Sequence, residues 1–150
     1  MKFKIKQFSR KDFDDYLTTT SSESSYYQTT AGILRLSHTA KGIYHAAFCE
    51  EKPSHVLSTL PTQLLLRGTP FQISVWNAAL QIPAGKTVTY QEIAQQIGKP
   101  NAWRAVANAL AHNQIAYFIP CHRVVRTNGA LGGYKWGIEK KQTLLFAEKL

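Results

Sequence analysis

Ile119-Pro120-Cys121-His122-Arg123-Val124 sets a thiol beside an imidazole, flanked by apolar residues. A free cysteine in that setting is a candidate nucleophile, because a thiolate is intrinsically reactive toward carbon. An unperturbed thiol of pKa about 8.5 is only a few per cent ionised near neutral pH. A base or a cation must therefore act on Cys121, and lowering its pKa to about 6 would correspond to roughly 3 kcal/mol of added preference for the thiolate. His122 is the adjacent candidate. Neighbours on an extended strand point to opposite faces, so adjacency alone does not give contact. A bridging water would connect the two, and an acid holding the imidazole would complete a relay. Spacing alone leaves several acids eligible for that role.

The only other cysteine is Cys49. Two cysteines cannot build a disulfide framework, and no CxxC spacing suggests zinc, so no metal and no cofactor are expected. No apolar run is long enough to span a membrane, and the opening residues lack the apolar core of a signal peptide. An intracellular, reducing location is the expectation, and it suits a protein that needs a free thiol. The 150 residues carry 18 Lys and Arg against 9 Asp and Glu, a formal charge of +9. Such a surplus favours a polyanionic partner, although a basic surface kept for solubility would look the same. With 44% hydrophobic residues the chain can bury a core.

The elements that must position Cys121 fall into two parts. Lys2 to Lys6 alternates charged and apolar side chains, as a half-exposed strand does. The Ser- and Thr-rich stretch from Thr18 to Thr30 reads as a loop, and Gly32–Ser37 with Ile43–Phe48 reads as a hairpin turning at Lys41-Gly42. Beyond Arg67 the signals become helical. Thr69-Pro70 caps a helix whose apolar face is Phe71, Val75, Ala78, Ala79 and Ile82. Tyr90, Ile93, Ala94 and Ile97 mark a second helix, and Asn101 is placed to cap a third that runs to about Ala111. The tight Gly-Lys-Pro-Asn link between them reads as a helix-turn-helix. On the third helix Trp103, Val106, Ala107, Leu110 and Ala111 form the stripe expected to face the core. Arg104, Ala105, Asn108, Ala109 and His112 share the other side, which suits either a nucleic-acid backbone or plain solvent. The fold expected is α/β: a small β-rich N-terminal part (1–67), then a mostly helical C-terminal domain (68–150).

Several motifs occur in one order. Gly68-Thr69-Pro70-Phe71-Gln72 with Val75-Trp76 is followed by Ile82-Pro83-x-Gly85-x-Thr87-Val88-x-Tyr90, then Arg104-Ala105-Val106, Asn113 and the cysteine segment. Gly129-x-Leu131-x-Gly133-Tyr134-x-Trp136-Gly137 and Lys141-x-x-Leu144-Leu145-x-x-Glu148 complete the series. Over residues 68–148 the chain resembles the O6-alkylguanine-DNA alkyltransferases. That resemblance implies a single-turnover repair protein, in which Cys121 takes the alkyl group from O6-alkylguanine, and also from O4-alkylthymine. By the same resemblance His122 is the water-linked base and Glu148 the acid orienting it. Tyr90 helps rotate the nucleotide and donates to the purine, and Asn113 braces the active-site segment. The third helix is implied to lie in the minor groove of double-stranded DNA through Ala105, Asn108 and Ala109. Arg104 is the implied finger that enters the stack where the target base leaves. Gly132, Gly133, Tyr134, Lys135, Trp136 and Val124 are implied to line the base pocket, and a monomer is expected.

The first part is shorter than in many relatives and lacks the cysteine and histidine spacing that holds zinc in some. Bulky Lys135 and Trp136 resemble bacterial members and suggest a narrow pocket that favours methyl over benzyl groups. Three other classes fit the residues less well. A lesion binder without repair activity would have replaced Cys121; a methylation-sensing regulator would carry a four-cysteine cluster; a cysteine hydrolase would need an oxyanion hole, of which there is no sign.

Overall fold

The sheet that opens the chain is built around Leu34 and Leu36, alternate residues on one strand that are both fully buried. In the computed structural model, which describes residues 2–149, five strands form this sheet in the order β1-β5-β4-β3-β2. They are β1 (Lys4–Phe8), β2 (Glu23–Thr29), β3 (Gly32–Thr39), β4 (Gly42–Cys49) and β5 (Gln63–Arg67). The β2-β3-β4 meander is antiparallel, whereas β1 and β4 both run parallel to β5. Gly42, at φ 152°, closes the expected Lys41-Gly42 turn. A Cβ there would sit 2.2 Å from the Gln63 carbonyl oxygen, so no other residue fits.

Two elements depart from expectation. The stretch read as a loop from Thr18 to Thr30 contains β2, an edge strand of Glu, Ser, Tyr, Gln and Thr, mostly exposed or half-buried. With no fully buried face until Thr29, it offers no alternation to read. Helix α1 (Arg10–Thr18) was not anticipated either. It buries only Phe13, so it carries no stripe, although the Ser9 side chain accepts from the Asp12 backbone N–H at its start.

The helical part follows β5. Helix α2 (Pro70–Leu80) opens with a capping box in which Thr69 Oγ1 accepts from Gln72 N and Gln72 Oε1 accepts from Thr69 N. Helix α3 (Tyr90–Gln96) follows the short strand β6 (Val88–Thr89), and α4 (Trp103–Ala111) completes the helix-turn-helix. Asn101 does not cap α4: Ala102 holds that position and offers no side-chain bond. The other end of α4 is better tied. The indole Nε1 of buried Trp76 on α2 donates to the Ala109 carbonyl at 2.9 Å, beside the His112 N–H that reaches the same oxygen at 3.1 Å. A 3₁₀ turn (Cys121–Arg123), β7 (Val124–Val125) and α5 (Ile138–Glu148) end the chain, β7 pairing in parallel with β6.

One continuous apolar core joins the two parts, from Leu34, Leu36 and Leu64 on the sheet to Val75, Ile93, Val106 and Ile119. The sheet also grips the approach to Cys121. Ala46 of β4 donates its N–H to Gln114 O and accepts from Ala116 N, each at 2.9 Å, in an isolated parallel bridge to Ile115. Among the described residues no helix is long and apolar enough to cross a membrane.

Candidate active site

Between α4 and the cysteine the chain makes a tight, buried crossing organised by Asn113, whose side chain is inaccessible to solvent. Its Oδ1 accepts from Ile115 N at 2.9 Å, and its Nδ2 points at Ile115 O, Ile119 O and the Cys121 Sγ, the last at 3.1 Å. Asn113 therefore fixes both the loop and the sulfur. Tyr117, within the same crossing, holds a left-handed φ of 72° that a tyrosine tolerates only when its surroundings impose it.

Cys121 opens a 3₁₀ turn rather than lying on an extended strand. The residue is 7% exposed, and its sulfur faces a cleft bounded by Tyr90, Trp103, Leu110, Tyr134 and Trp136. Burial pushes the thiol up to about 12, only partly opposed by the Asn113 hydrogen bond and the Lys141 charge. The resting group is thus a neutral thiol, not the preformed thiolate considered from sequence. Ionisation has to accompany the chemistry.

His122 is 1% exposed. Its Nε2 lies 2.5 Å from Glu148 Oε1 on the last turn of α5. The same carboxylate receives Arg123 Nε at 2.7 Å, and Arg123 Nη1 donates onward to Ile82 O at 2.6 Å. Burial raises the Glu148 carboxyl, but the bonds and charges of His122 and Arg123 outweigh it and leave the group below the ordinary carboxylate range. For His122, burial wins over the support of Glu148 and lowers the imidazole below 6.5. A neutral ring donating Nε2–H to an ionised carboxylate leaves Nδ1 as the basic nitrogen. That Nδ1 has no hydrogen-bond partner among the described residues.

Lys141 stands in the last sequence motif, which implies no role for it. It is fully buried, and its Nζ donates to the carbonyls of Val124, Leu131 and Gly133 at 2.7, 2.5 and 3.1 Å. Three acceptors match the three protons of an ammonium. Desolvation nevertheless brings it down to about 8, against the raising influence of Cys121. Its signal in the sequence is a lysine three residues before buried Leu144, on the inward stripe of a helix.

The cleft occupies about 840 Å³, in the upper part of the usual range for ligand pockets. That volume includes the open mouth of the cleft, and the space for the alkyl group is set by the walls near Cys121. Gly133, Tyr134, Lys135 and Trp136 line the cleft, as the pocket residues were expected to, and Tyr90 joins them. Val124 does not: it is fully buried in the core behind Cys121. Gly132 is also absent from the lining; it lies behind Tyr90, where an added Cβ would meet the phenol oxygen at 2.7 Å. Burial raises the Tyr90 and Tyr134 phenols, so both stay protonated.

Helix α4 forms the opposite rim, turned relative to the expected face. Arg104, Ala105 and Asn108 are exposed as expected, but Ala109 is 3% exposed and packs inward. Trp103, expected in the core, is 39% exposed and joins the cleft wall with Ala107 and Ala111. The Arg104 guanidinium rests 5.0 Å from the Trp103 ring, beside the cleft mouth. Among the described residues no group of three or more His, Cys, Asp or Glu side chains is placed to hold a metal.

A thiol, a carboxylate-oriented imidazole and a helix-turn-helix at the rim of one apolar cleft form a distinctive set. The family model for the DNA-binding domain of 6-O-methylguanine DNA methyltransferase matches residues 70–150. The chain belongs to this family. It is 57% identical over 90 residues to the Escherichia coli bifunctional transcriptional activator/DNA repair enzyme Ada, covering 60% of this chain and 25% of Ada. It is 53% identical over 93 residues to the Mycobacterium tuberculosis methylated-DNA–protein-cysteine methyltransferase, covering 62% of this chain and 56% of that protein. These matches thus span a quarter to just over half of the relatives' own lengths. Likeness to solved structures reaches into the N-terminal sheet. M. tuberculosis OGT in complex with DNA superimposes with a TM-score of 0.73 at 36% identity, covering 84% of this chain and 92% of that one. The methyltransferase fold, an N-terminal sheet followed by C-terminal helices, is therefore that of this chain.

Proposed function

We propose that this protein repairs DNA by moving the alkyl group of O6-alkylguanine, chiefly methyl, irreversibly onto Cys121. The observation that carries this reading is Cys121 in the wall of an apolar cleft that also takes in the second helix of the helix-turn-helix, within a chain matched by the family's DNA-binding domain. The O6 substituent lies inside the duplex, where a thiol cannot align behind the alkyl carbon, so the damaged nucleotide turns out into the cleft. An alkylated guanine that pairs poorly costs less to extrude than an intact one.

Once the base is seated, His122 Nδ1 takes the Cys121 proton through a bridging water while Glu148 steadies the imidazolium. The sulfur attacks the alkyl carbon in line: the S–C bond forms as the C–O6 bond breaks, and the electron pair passes to the guanine ring. Tyr90 donates a hydrogen bond as that charge develops, the guanine anion takes a proton from water, and the proton held on His122 returns to solvent, so guanine and imidazole both end neutral. The thioether is stable, so each molecule acts once and needs no cofactor. The cleft walls also accept O4-alkylthymine, a smaller ring carrying the same reactive ether.

Helix α4 enters the minor groove, where exposed Ala105 is small enough for close approach and Asn108 meets the backbone. Arg104 takes the place the base vacates. The formal charge of +9 supplies phosphate attraction. The protein acts as a monomer inside the cell, where a reducing setting keeps Cys121 free.

Intact-protein mass after mixing with a duplex holding a single O6-methylguanine tests the reading. A gain of one methyl group mapped to Cys121, and none in Cys121→Ser, is the expected result. Tight lesion binding without a mass change would overturn it.

A further inference from the structure

Between β7 and α5 the chain from Arg126 to Gly137 has no regular secondary structure, yet it supplies much of the cleft wall. Such a segment holds a shape only where side chains tie it down. Its middle is tied to the C-terminal part: Lys141 gathers Leu131 O and Gly133 O, and Lys135 Nζ reaches Asn113 O at 3.2 Å. Its far end is tied elsewhere. The Trp136 ring lies between Tyr134, at 5.4 Å and 66°, and Phe48 on β4 of the N-terminal sheet, at 6.4 Å and 68°. Lys140 closes the same junction, with its Nζ 3.2 Å from Ala31 O and 5.0 Å from the centre of the Phe48 ring.

We propose that Phe48 is a specificity-setting positioning residue: from the N-terminal sheet it holds Trp136 against the cleft and so limits the size of the alkyl group accepted. Phe48 is not among the residues lining the cleft, so it acts through Trp136. Trp136 does line it, on the same side as Tyr134 and within the cavity that Cys121 faces. The cleft, about 840 Å³ and open at its mouth, has room for a base, and Trp136 is one of the large walls that bound the space left for its substituent. Without the Phe48 edge contact and the Lys140 tie, the indole is free to swing away from Tyr134 and widen the wall. A methyl group needs none of that space, so its transfer is insensitive to the change.

The inference rests on the alkyltransferase reading, and one set of single-turnover rates separates the two. Transfer is followed from duplex O6-methylguanine and from O6-benzylguanine in wild type, Phe48→Ala, Lys140→Met, Trp136→Gly and the Phe48→Ala/Trp136→Gly double variant. Phe48→Ala is expected to raise the benzyl-to-methyl rate ratio about tenfold while leaving the methyl rate within about twofold. Lys140→Met, which removes the ammonium but keeps an apolar stem, shifts the ratio in the same direction by a smaller factor. In the Trp136→Gly background, Phe48→Ala changes nothing further, because its only route is gone. An unchanged ratio in both single variants overturns the proposal, as does an equal rise with Trp136 already removed. Should Phe48→Ala not fold, Lys140→Met and Phe48→Leu carry the same test. Wild-type protein that transfers neither group overturns the alkyltransferase reading and this proposal with it.

Discussion

His122 Nε2 and Glu148 Oε1 stand 2.5 Å apart, joining the turn that carries Cys121 to the last turn of α5. Arg123, the next residue along, binds the other oxygen of the same carboxylate. A carboxylate so engaged stays ionised and can only accept, which places the imidazole proton on Nε2. The final helix therefore decides which nitrogen of His122 is basic. Four outcomes follow from this geometry and from the face that α4 presents.

Transfer should tolerate mild acid and then fail. Burial holds His122 below its ordinary 6.5, so the neutral ring persists as pH drops past that value and is lost only at the lower folded value. Single-turnover rates from about pH 5 to 8 should show a plateau with an acid limb starting below 6.5. A limb at or above 6.5 would remove His122 from the role of base. The same shift bears on stability. The unfolded chain takes up the proton at the ordinary value while the folded chain resists it. The His122 contribution is thus full above about 6.5 and is lost as pH falls through the folded value.

Glu148→Gln keeps the shape but frees the tautomer. The amide can donate to Nε2 as readily as accept from it, and it no longer balances Arg123. Transfer to the free base should slow by on the order of 10²-fold, and stability should fall by about 2 kcal/mol in urea unfolding. A rate within about twofold of wild type would show that the carboxylate does not orient His122.

Asn113→Ala should be costly to the fold itself. It strips partners from Ile115 N and Ile119 O in a site without solvent, and it releases the sulfur. A loss of about 2 to 4 kcal/mol is expected by chemical denaturation. A loss under about 0.5 kcal/mol would mean that the crossing is held by packing alone.

Arg104→Ala should do the reverse, leaving stability within about 0.5 kcal/mol because the side chain is exposed. Repair in duplex DNA should slow by about tenfold or more, while reaction with the free base stays unchanged. Equal slowing on both substrates would place Arg104 in the chemistry rather than in base extrusion. Wild-type affinity for duplex should also fall with added salt, as phosphate contacts require.

The sequence by itself determined the Cys121-His122 pair, the helix-turn-helix and the Thr69 cap, because each is written in neighbouring residues. Thr69-Pro70-Phe71-Gln72 specifies its capping box locally, and Gly42 follows from one tight turn. The Ile119 to Val124 run, with the ordered motifs around it, was enough to identify the family and hence to pair His122 with Glu148. What lay out of reach depended on partners distant in the chain. Helix α1 and strand β2 leave few residues fully buried, so their periodicity is too faint to read. The rotation of α4 that buries Ala109 and exposes Trp103 goes with contacts to other elements, among them the Trp76 indole on α2 that bonds the Ala109 carbonyl. The protonation state of Cys121 is set by desolvation, which depends on everything packed around the sulfur and which no spacing encodes. Lys141 looks like an ordinary helix lysine until folding brings three carbonyls to its ammonium. The grip of Phe48 on Trp136, across most of the chain, exists only once the sheet and the cleft wall have met in space.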